Sequence, residues 1–111
     1  MKVSELEGAL LDAWVARALG HKLVGIEHGF AKVYDWQSIH PSPIRGNPFQ
    51  PSEIWAQGGP VIDHARLFVE PLDDGSGKWM SGMPPQYGST ALIAAMRACV
   101  ASKFGDEVPD K

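Results

Sequence analysis

The sequence predicts an α+β domain in which two main helices pack on a small, mainly antiparallel sheet. Two features lead to this fold class: a helical apolar pattern near each end of the 111 residues, and short β-prone runs between them, separated by turn residues. Five prolines within residues 35–60 rule out a long helix or a central strand there. Because this stretch also carries aromatic residues, we expect a long Pro-rich loop that is ordered against the body of the domain.

The last helix is predicted over residues 91–104, where no Gly or Pro interrupts a run of good helix formers. Thr90 is a suitable N-cap, and Gly105 can adopt the left-handed conformation that often ends a helix. At about 100° per residue, the large apolar side chains fall on one half of the helix and the alanines on the other. Since both halves are apolar, we expect this helix at the centre of the core. The alanine half would let another backbone come close; the alternative is a homodimer seam.

The first helix is predicted over about residues 5–19. Ser4 and Glu7 have the spacing of a capping box, in which the two side chains satisfy amides that would otherwise be free at the start of a helix. Glu5 and Asp12 lie opposite the apolar face of this helix. We therefore expect both acidic side chains on the surface, where a negative charge near a helix start is favourable.

The strands are predicted from β-prone runs bounded by turn residues. One strand is expected near 22–27 and a second near 30–34, joined by a tight turn. A hairpin is expected from residues 66–72 and 78–83, because the Asp-Asp-Gly-Ser-Gly sequence between them has the composition of a turn. The segment after this hairpin should run extended into the last helix.

Residues 57–60 read Gln-Gly-Gly-Pro, which predicts a tight turn followed by a short helix over 60–66. Glycine pairs also occur in phosphate-binding loops. However, the Lys-Ser/Thr of a nucleotide P-loop and the longer Rossmann pattern are both absent. At the end of the chain, the polar tail 106–111 is expected to fray.

Length and composition fit a single domain over residues 1–111, and 44% hydrophobic residues are enough for a core. A net charge of −3 and basic residues that are scattered singly argue against nucleic-acid binding. No apolar run is long enough to cross a bilayer, so no membrane partner is expected. The single Cys99 cannot form an intramolecular disulfide; it lies in the predicted last helix, as a core thiol would, and fits a reducing cytosol.

No residue pattern indicates a particular reaction. The four histidines lack metal-ligand spacing and no Cys/His cluster exists, so neither a metal nor another cofactor is expected. The serines lack a nucleophile-elbow pattern, and no pair of carboxylates stands out. The favoured interpretation is therefore a non-enzymatic protein, with enzymatic activity left open.

Three stretches together resemble one known family. They are Ser4-Glu5-Leu6 with Gly8 and Leu11-Asp12, then Trp55-Ala56-Gln57-Gly58-Gly59-Pro60-Val61-Ile62, then residues 92–97 running on to 101–108. In these stretches, which follow one another over nearly the whole chain, the protein resembles the NinX-like family of small bacteriophage and prophage proteins. Members commonly have Thr-Pro where this chain has Thr90-Ala91, a difference that leaves the helix start intact. The segment 50–54 before the WAQGGP motif matches the family only in part.

The resemblance implies a phage-encoded accessory protein that works in the cytoplasm of the bacterial host, during infection or from a prophage. It brings no catalytic residues to this chain. We expect such a protein to bind a host or phage protein through residues 49–60, with Phe49 and Trp55 as anchors, because aromatic residues dominate interface energetics. A buried turn with a packing tryptophan would explain the WAQGGP motif equally well.

The alternative function is that of a small hydrolase, or of a nucleotide-binding or other small-ligand-binding protein. Its site would be the turn at Gly58 and Gly59, whose amides would approach the ligand, with Arg97 or His64 nearby. Gln57, in the same motif, completes the candidate binding residues. This alternative requires a pocket that brings these groups together.

Overall fold

The computed structural model describes residues 1–34 and 47–109, and it confirms the α+β class. The chain begins with a short 3₁₀ helix at Val3–Glu5. The remaining elements are α1 (Gly8–Leu19), β1 (Leu23–Glu27), β2 (Phe30–Val33), β3 (Asn47–Phe49), α2 (Trp55–Ala65), β4 (Val69–Pro71), β5 (Trp79–Ser81), β6 (Gln86–Gly88) and α3 (Ala91–Phe104). No helix in the described ranges is long and apolar enough to cross a membrane.

The strands form two antiparallel sheets rather than the one that the sequence predicts. The first has the order β1-β2-β3 and contains both strands predicted before residue 35. The second has the order β4-β5-β6 and contains the predicted hairpin, shortened to three residues in each strand. Each sheet packs on a different helix, the first on α1 and the second on α3, so the two hairpins never meet in one sheet.

Helix α3 lies at the centre, as predicted. It contacts α1 and α2, and it contacts all three strands of the second sheet. The Thr90 side chain caps its start by accepting a hydrogen bond from the Ile93 amide at 3.1 Å, and Gly105 ends it. The layers therefore run from the first sheet to α1, from α1 to α3, and from α3 to the second sheet. The largest fully buried apolar side chains of the core are Phe49, Leu6, Leu11, Met96, Val3, Val15, Val33 and Val100.

The alanine half of α3 is covered by the second sheet of the same chain. A Cβ added at Gly88 would lie 2.6 Å from the Ala94 amide nitrogen, and one added at Gly82 would lie 2.9 Å from the Ala98 Cβ. Glycines in the sheet and alanines in the helix thus let the two backbones come close, as predicted. The alternative of a homodimer seam on this half is wrong, because Ala94 and Ala98 are already buried inside the chain.

The first helix begins later than predicted. Ser4 lies in the 3₁₀ helix, and α1 begins at Gly8 with Glu7 as an N-cap whose side chain makes no capping bond. The capping-box interpretation is therefore wrong. The Leu6 amide donates a hydrogen bond to the Val3 carbonyl at 3.0 Å and so closes the tighter 3₁₀ turn. This turn brings the side chains of Val3 and Leu6 into the core, where both are fully buried.

Residues 106–108 do not fray, since they pair with the start of the chain. The Val3 amide donates to the Asp106 carbonyl at 2.9 Å, and the Val108 amide donates to the Met1 carbonyl at 2.9 Å. The Val108 side chain is buried. An apolar side chain in this otherwise polar tail thus fixes it to the body, and the prediction of a frayed tail is wrong up to this point. Residues 110 and 111 lie outside the described ranges.

The buried side chain of Val108 should stabilise the whole domain. Val108→Ala should lower the free energy of unfolding by about 2 kcal/mol, because it removes buried methyl groups and leaves a cavity. The matched control is Glu107→Ala, which changes an exposed side chain in the same paired segment and should cost less than about 0.5 kcal/mol. Urea unfolding curves measure both values. Equal curves for the two variants would mean that the tail does not contribute to the core.

Candidate functional site

The WAQGGP motif is helical from its first residue, which corrects the predicted glycine turn. Helix α2 begins at Trp55, not at residue 60, and Pro60 lies inside it. The Ile54 carbonyl accepts hydrogen bonds from the amides of Gln57 at 3.0 Å and Gly58 at 2.8 Å, which closes the first turn. The predicted irregular stretch is thus regular from residue 47, where β3 begins, apart from the connection 50–54. Its earlier part, 35–46, lies outside the described residues.

Gly58 is a packing position. A Cβ at this position would overlap the carbonyl oxygen of Pro51 and would lie 2.5 Å from Leu92 Cδ2. Because Gly58 has no Cβ, Pro51 in the connection before α2 and Leu92 on α3 can both lie close to this position. The Gly58 amide is already bonded to Ile54 and its α-carbon faces protein atoms, so Gly58 cannot approach a ligand as the alternative site requires. Gly59 differs, because a Cβ there would meet no atom within 4 Å.

Two side chains hold the connection 50–54 in place. The Gln57 side-chain oxygen accepts a hydrogen bond from the Gln50 amide at 2.6 Å. From the other side, the Asp12 carboxylate on α1 accepts one from the Ser52 amide at 2.9 Å. The amides of Glu53 and Ile54 bond to the Gln50 carbonyl at 3.1 and 2.9 Å. The approach to α2 is therefore a fixed turn.

Asp12 was predicted to be on the surface, and this is wrong. Only 2% of the residue is exposed, because the connection 50–54 covers this side of α1. Burial raises the pKa of the Asp12 carboxyl to about 6, and the nearby charge of Glu53 acts in the same direction, whereas the hydrogen bonding to Ser52 lowers it. The covering residues are forty positions away, so the local pattern of α1 gives no sign of this burial.

Trp55 is exposed on the outer side of this fixed turn. It is 60% exposed, and Ile54 beside it is 37% exposed, so the buried-turn explanation of this tryptophan is wrong. Phe49 is fully buried, with its ring edge-on to that of His21 at a centroid distance of 5.5 Å. Phe49 therefore belongs to the core and cannot act as a surface anchor. We refer to Ile54 and Trp55 together as the Trp55 platform.

Arg97 is held by the backbone of its own chain. Its Nε donates to the Leu6 carbonyl at 2.9 Å and its Nη1 to the Tyr87 carbonyl at 2.7 Å. These bonds tie α3 to the segment before α1 and to strand β6. Burial lowers the pKa of this guanidinium, while the nearby Glu7 opposes the shift. Arg97 is therefore bonded to Leu6 and Tyr87 and not to the segment at Gly58 and Gly59, where the alternative site would need it.

A groove of about 280 Å³ lies on another side of α2. It is lined by Leu19, His21, Gln57, Pro60, Val61 and His64. Two of the candidate residues, Gln57 and His64, therefore meet here, without Arg97. Among the described residues, no group of three or more His, Cys, Asp or Glu side chains could hold a metal ion. Cys99 is buried, and burial raises the pKa of its thiol to about 11, which is typical of a core thiol.

The fold and the platform together define a small α+β protein that presents a tryptophan from a fixed helix start. The family model described as "Bacteriophage P22, NinX" matches residues 2–103. The chain therefore belongs to this phage protein family, as the three sequence stretches indicate. No curated protein matches the chain.

The two glycines of the motif should respond oppositely to alanine. Gly58→Ala should destabilise the protein by about 2 kcal/mol or more, because the new methyl group overlaps backbone that cannot move away easily. Gly59→Ala is the matched control, and it should stabilise by about 0.5–1 kcal/mol, since alanine is the better helix former and meets no atom. Thermal and urea unfolding measure both. A destabilised Gly59→Ala would contradict the helical geometry described for this motif.

Asp12 should make stability depend on pH. The folded protein keeps this proton up to about pH 6, whereas the unfolded chain releases it near pH 4, so the contribution of Asp12 to stability is lost as pH rises through this window. The loss amounts to about 3 kcal/mol. Asp12→Asn keeps an acceptor for the Ser52 amide and removes the titration. The stability difference between variant and wild type should therefore grow in favour of the variant from pH 4 to 7. A constant difference would contradict the raised pKa.

Proposed function

We propose that this NinX-family chain is a non-enzymatic phage accessory protein that binds a host or phage protein in the bacterial cytoplasm through the Trp55 platform. The observation that carries the proposal is the 60% exposure of Trp55 at a helix start where the neighbouring backbone is fixed. A monomeric protein gains nothing for its own stability from an indole in water. Tryptophan is also the residue type that most often supplies a large share of binding energy at protein interfaces.

The support for a binding role comes from the order of the platform. Ordering a loop on binding consumes part of the interaction energy. Here the connection before α2 is already held by Asp12 and Gln57, so a partner would not need to order it. Ile54 and Trp55 are neighbours in sequence, and both side chains are exposed. Phe49, the second anchor expected from the sequence, is replaced in this proposal by Ile54.

The charge beside the platform indicates the chemistry of the partner. Glu53, next to Ile54, is exposed, and the whole chain carries a net charge of −3. A partner with an apolar pocket for the indole and a basic residue at its rim would complement both features. Such a rim charge affects mainly the rate of association and the choice of partner, while the indole supplies affinity.

The test is affinity capture from phage-infected host lysate with the tagged protein and with Trp55→Ala. The platform accounts for binding if Trp55→Ala weakens the affinity for a specific partner by about thirtyfold or more, because an interface hot spot contributes about 2 kcal/mol or more. Phe68→Ala is the matched control, since Phe68 is also exposed but lies outside the platform. Unfolding curves must show that both variants fold.

Capture that is equal for the wild type and both variants would overturn the role of Trp55. Loss of the partner with Phe68→Ala alone would place the interface near β4 instead. Ile54→Ala should weaken capture less than Trp55→Ala does, because it removes a smaller and less exposed side chain.

A further inference from the structure

A second cavity, between α3, the 3₁₀ helix and the second sheet, is lined by positively charged and hydroxyl-bearing residues. Its volume is about 230 Å³, and it is lined by Ser4, Lys78, Tyr87, Gly88, Ser89 and Arg97. We propose that this cavity binds a tetrahedral oxyanion, namely the phosphate group of a small molecule. The proposal concerns a site separate from the Trp55 platform and does not depend on the function proposed for that platform.

The polar groups of the cavity come from two helices and from the residues flanking two paired strands. Ser4 belongs to the 3₁₀ helix and Arg97 to α3. Lys78 and Ser89 adjoin the paired residues Trp79 and Gly88, so the antiparallel register of β5 and β6 places them across from each other. Donors that approach from several directions suit a tetrahedral oxyanion better than they suit a planar carboxylate.

Arg97 is prepared for such an anion by its internal bonds. Its partners are two carbonyl oxygens and not carboxylates, so they orient the guanidinium without neutralising its charge. A guanidinium has five N–H donors, and these two bonds leave the Nη2 group available. An oriented arginine loses little freedom when it binds phosphate, and its fork geometry matches phosphate oxygens.

Two acidic groups lie near lining residues of the cavity: Glu7, whose charge acts on Arg97, and Asp74, whose carboxylate is influenced by Lys78. Both act against an anion. They also provide a test in which binding should become stronger and not weaker, because removal of one of these negative charges should favour the anion. Glu7 is suitable for this purpose, since its side chain makes no capping bond to α1 and is exposed.

The experiment is a titration of the full chain with inorganic phosphate at constant ionic strength. Binding is monitored through the amide chemical shifts in NMR spectra. The largest shifts should occur at residues 4, 78 and 89. Lys78→Gln should weaken binding by about tenfold, the loss of one charge-assisted hydrogen bond. Lys103→Gln removes the same charge from an exposed lysine outside this cavity and should leave the affinity unchanged. Glu7→Gln should increase the affinity, while Asp63→Asn, which removes an exposed acid on α2 outside the cavity lining, should not.

Equal effects of Lys78→Gln and Lys103→Gln would overturn the site, because phosphate would then respond only to net charge. Shifts spread over the surface, or no shifts at tens of millimolar phosphate, would overturn it as well. The anion could be free phosphate or the phosphate group of an ester, and a titration with phenyl phosphate distinguishes the two. Either of the following results supports the oxyanion site. Tighter binding than that of inorganic phosphate, lost in Tyr87→Ala, would assign an ester with a ring on the exposed Tyr87. Equal affinity would assign free phosphate.

Discussion

A helix that is apolar on both sides has to be covered on both sides, and this constraint organises the whole chain. Helix α3 buries its large side chains against α1 and α2 and its alanines against the second sheet. Neither covering could be omitted without exposing a row of apolar groups to water. The glycines at 82 and 88 follow from the same constraint, since a sheet can approach an alanine surface closely only where its own side chains are missing. The two separate sheets are a consequence of this arrangement.

Most features set by neighbours in sequence were predicted well, the capping box at Ser4 and Glu7 being the exception, whereas features set by distant contacts were not. The limits of α3 follow from Thr90 and Gly105, which act within one turn, and strands β1 and β2 follow from a local run of β-prone residues. The first half of helix α2 escaped prediction, whereas its second half matches the short helix predicted over 60–66, because the Gly-Gly-Pro sequence opposes helix formation locally. Its packing on Pro51 and Leu92, which no local pattern displays, accounts for the helix. Strands β3 and β6, with three residues each, depend on pairing with neighbours and gave no signal of their own.

The candidate site shows the same division within a single motif. Gln57 and Gly58 keep the connection before α2 in place, whereas Trp55 is turned to the solvent. The sequence indicated that this motif is special but left open whether Trp55 is a surface anchor or a packed side chain; the structure exposes it. The sequence could not separate the residues that hold the platform from the one that is displayed, since that depends on Asp12 of α1 and on Leu92 of α3. Burial of Phe49 escaped prediction for the same reason, because it depends on the pairing of β3 with β2 and on the packing of this strand on α1.

The central position of α3 has a consequence for the order in which the protein is completed. Synthesis proceeds from the amino end, and α3 is the last of the helices to leave the ribosome. Until it emerges, the second sheet and the faces of α1 and α2 that pack on α3 have no surface on which to bury their apolar side chains. The growing chain must therefore carry exposed hydrophobic groups through most of its synthesis, when association with other chains competes with folding. The core is completed only once α3 is available, so the yield of folded protein should depend on how quickly α3 follows the elements that pack on it.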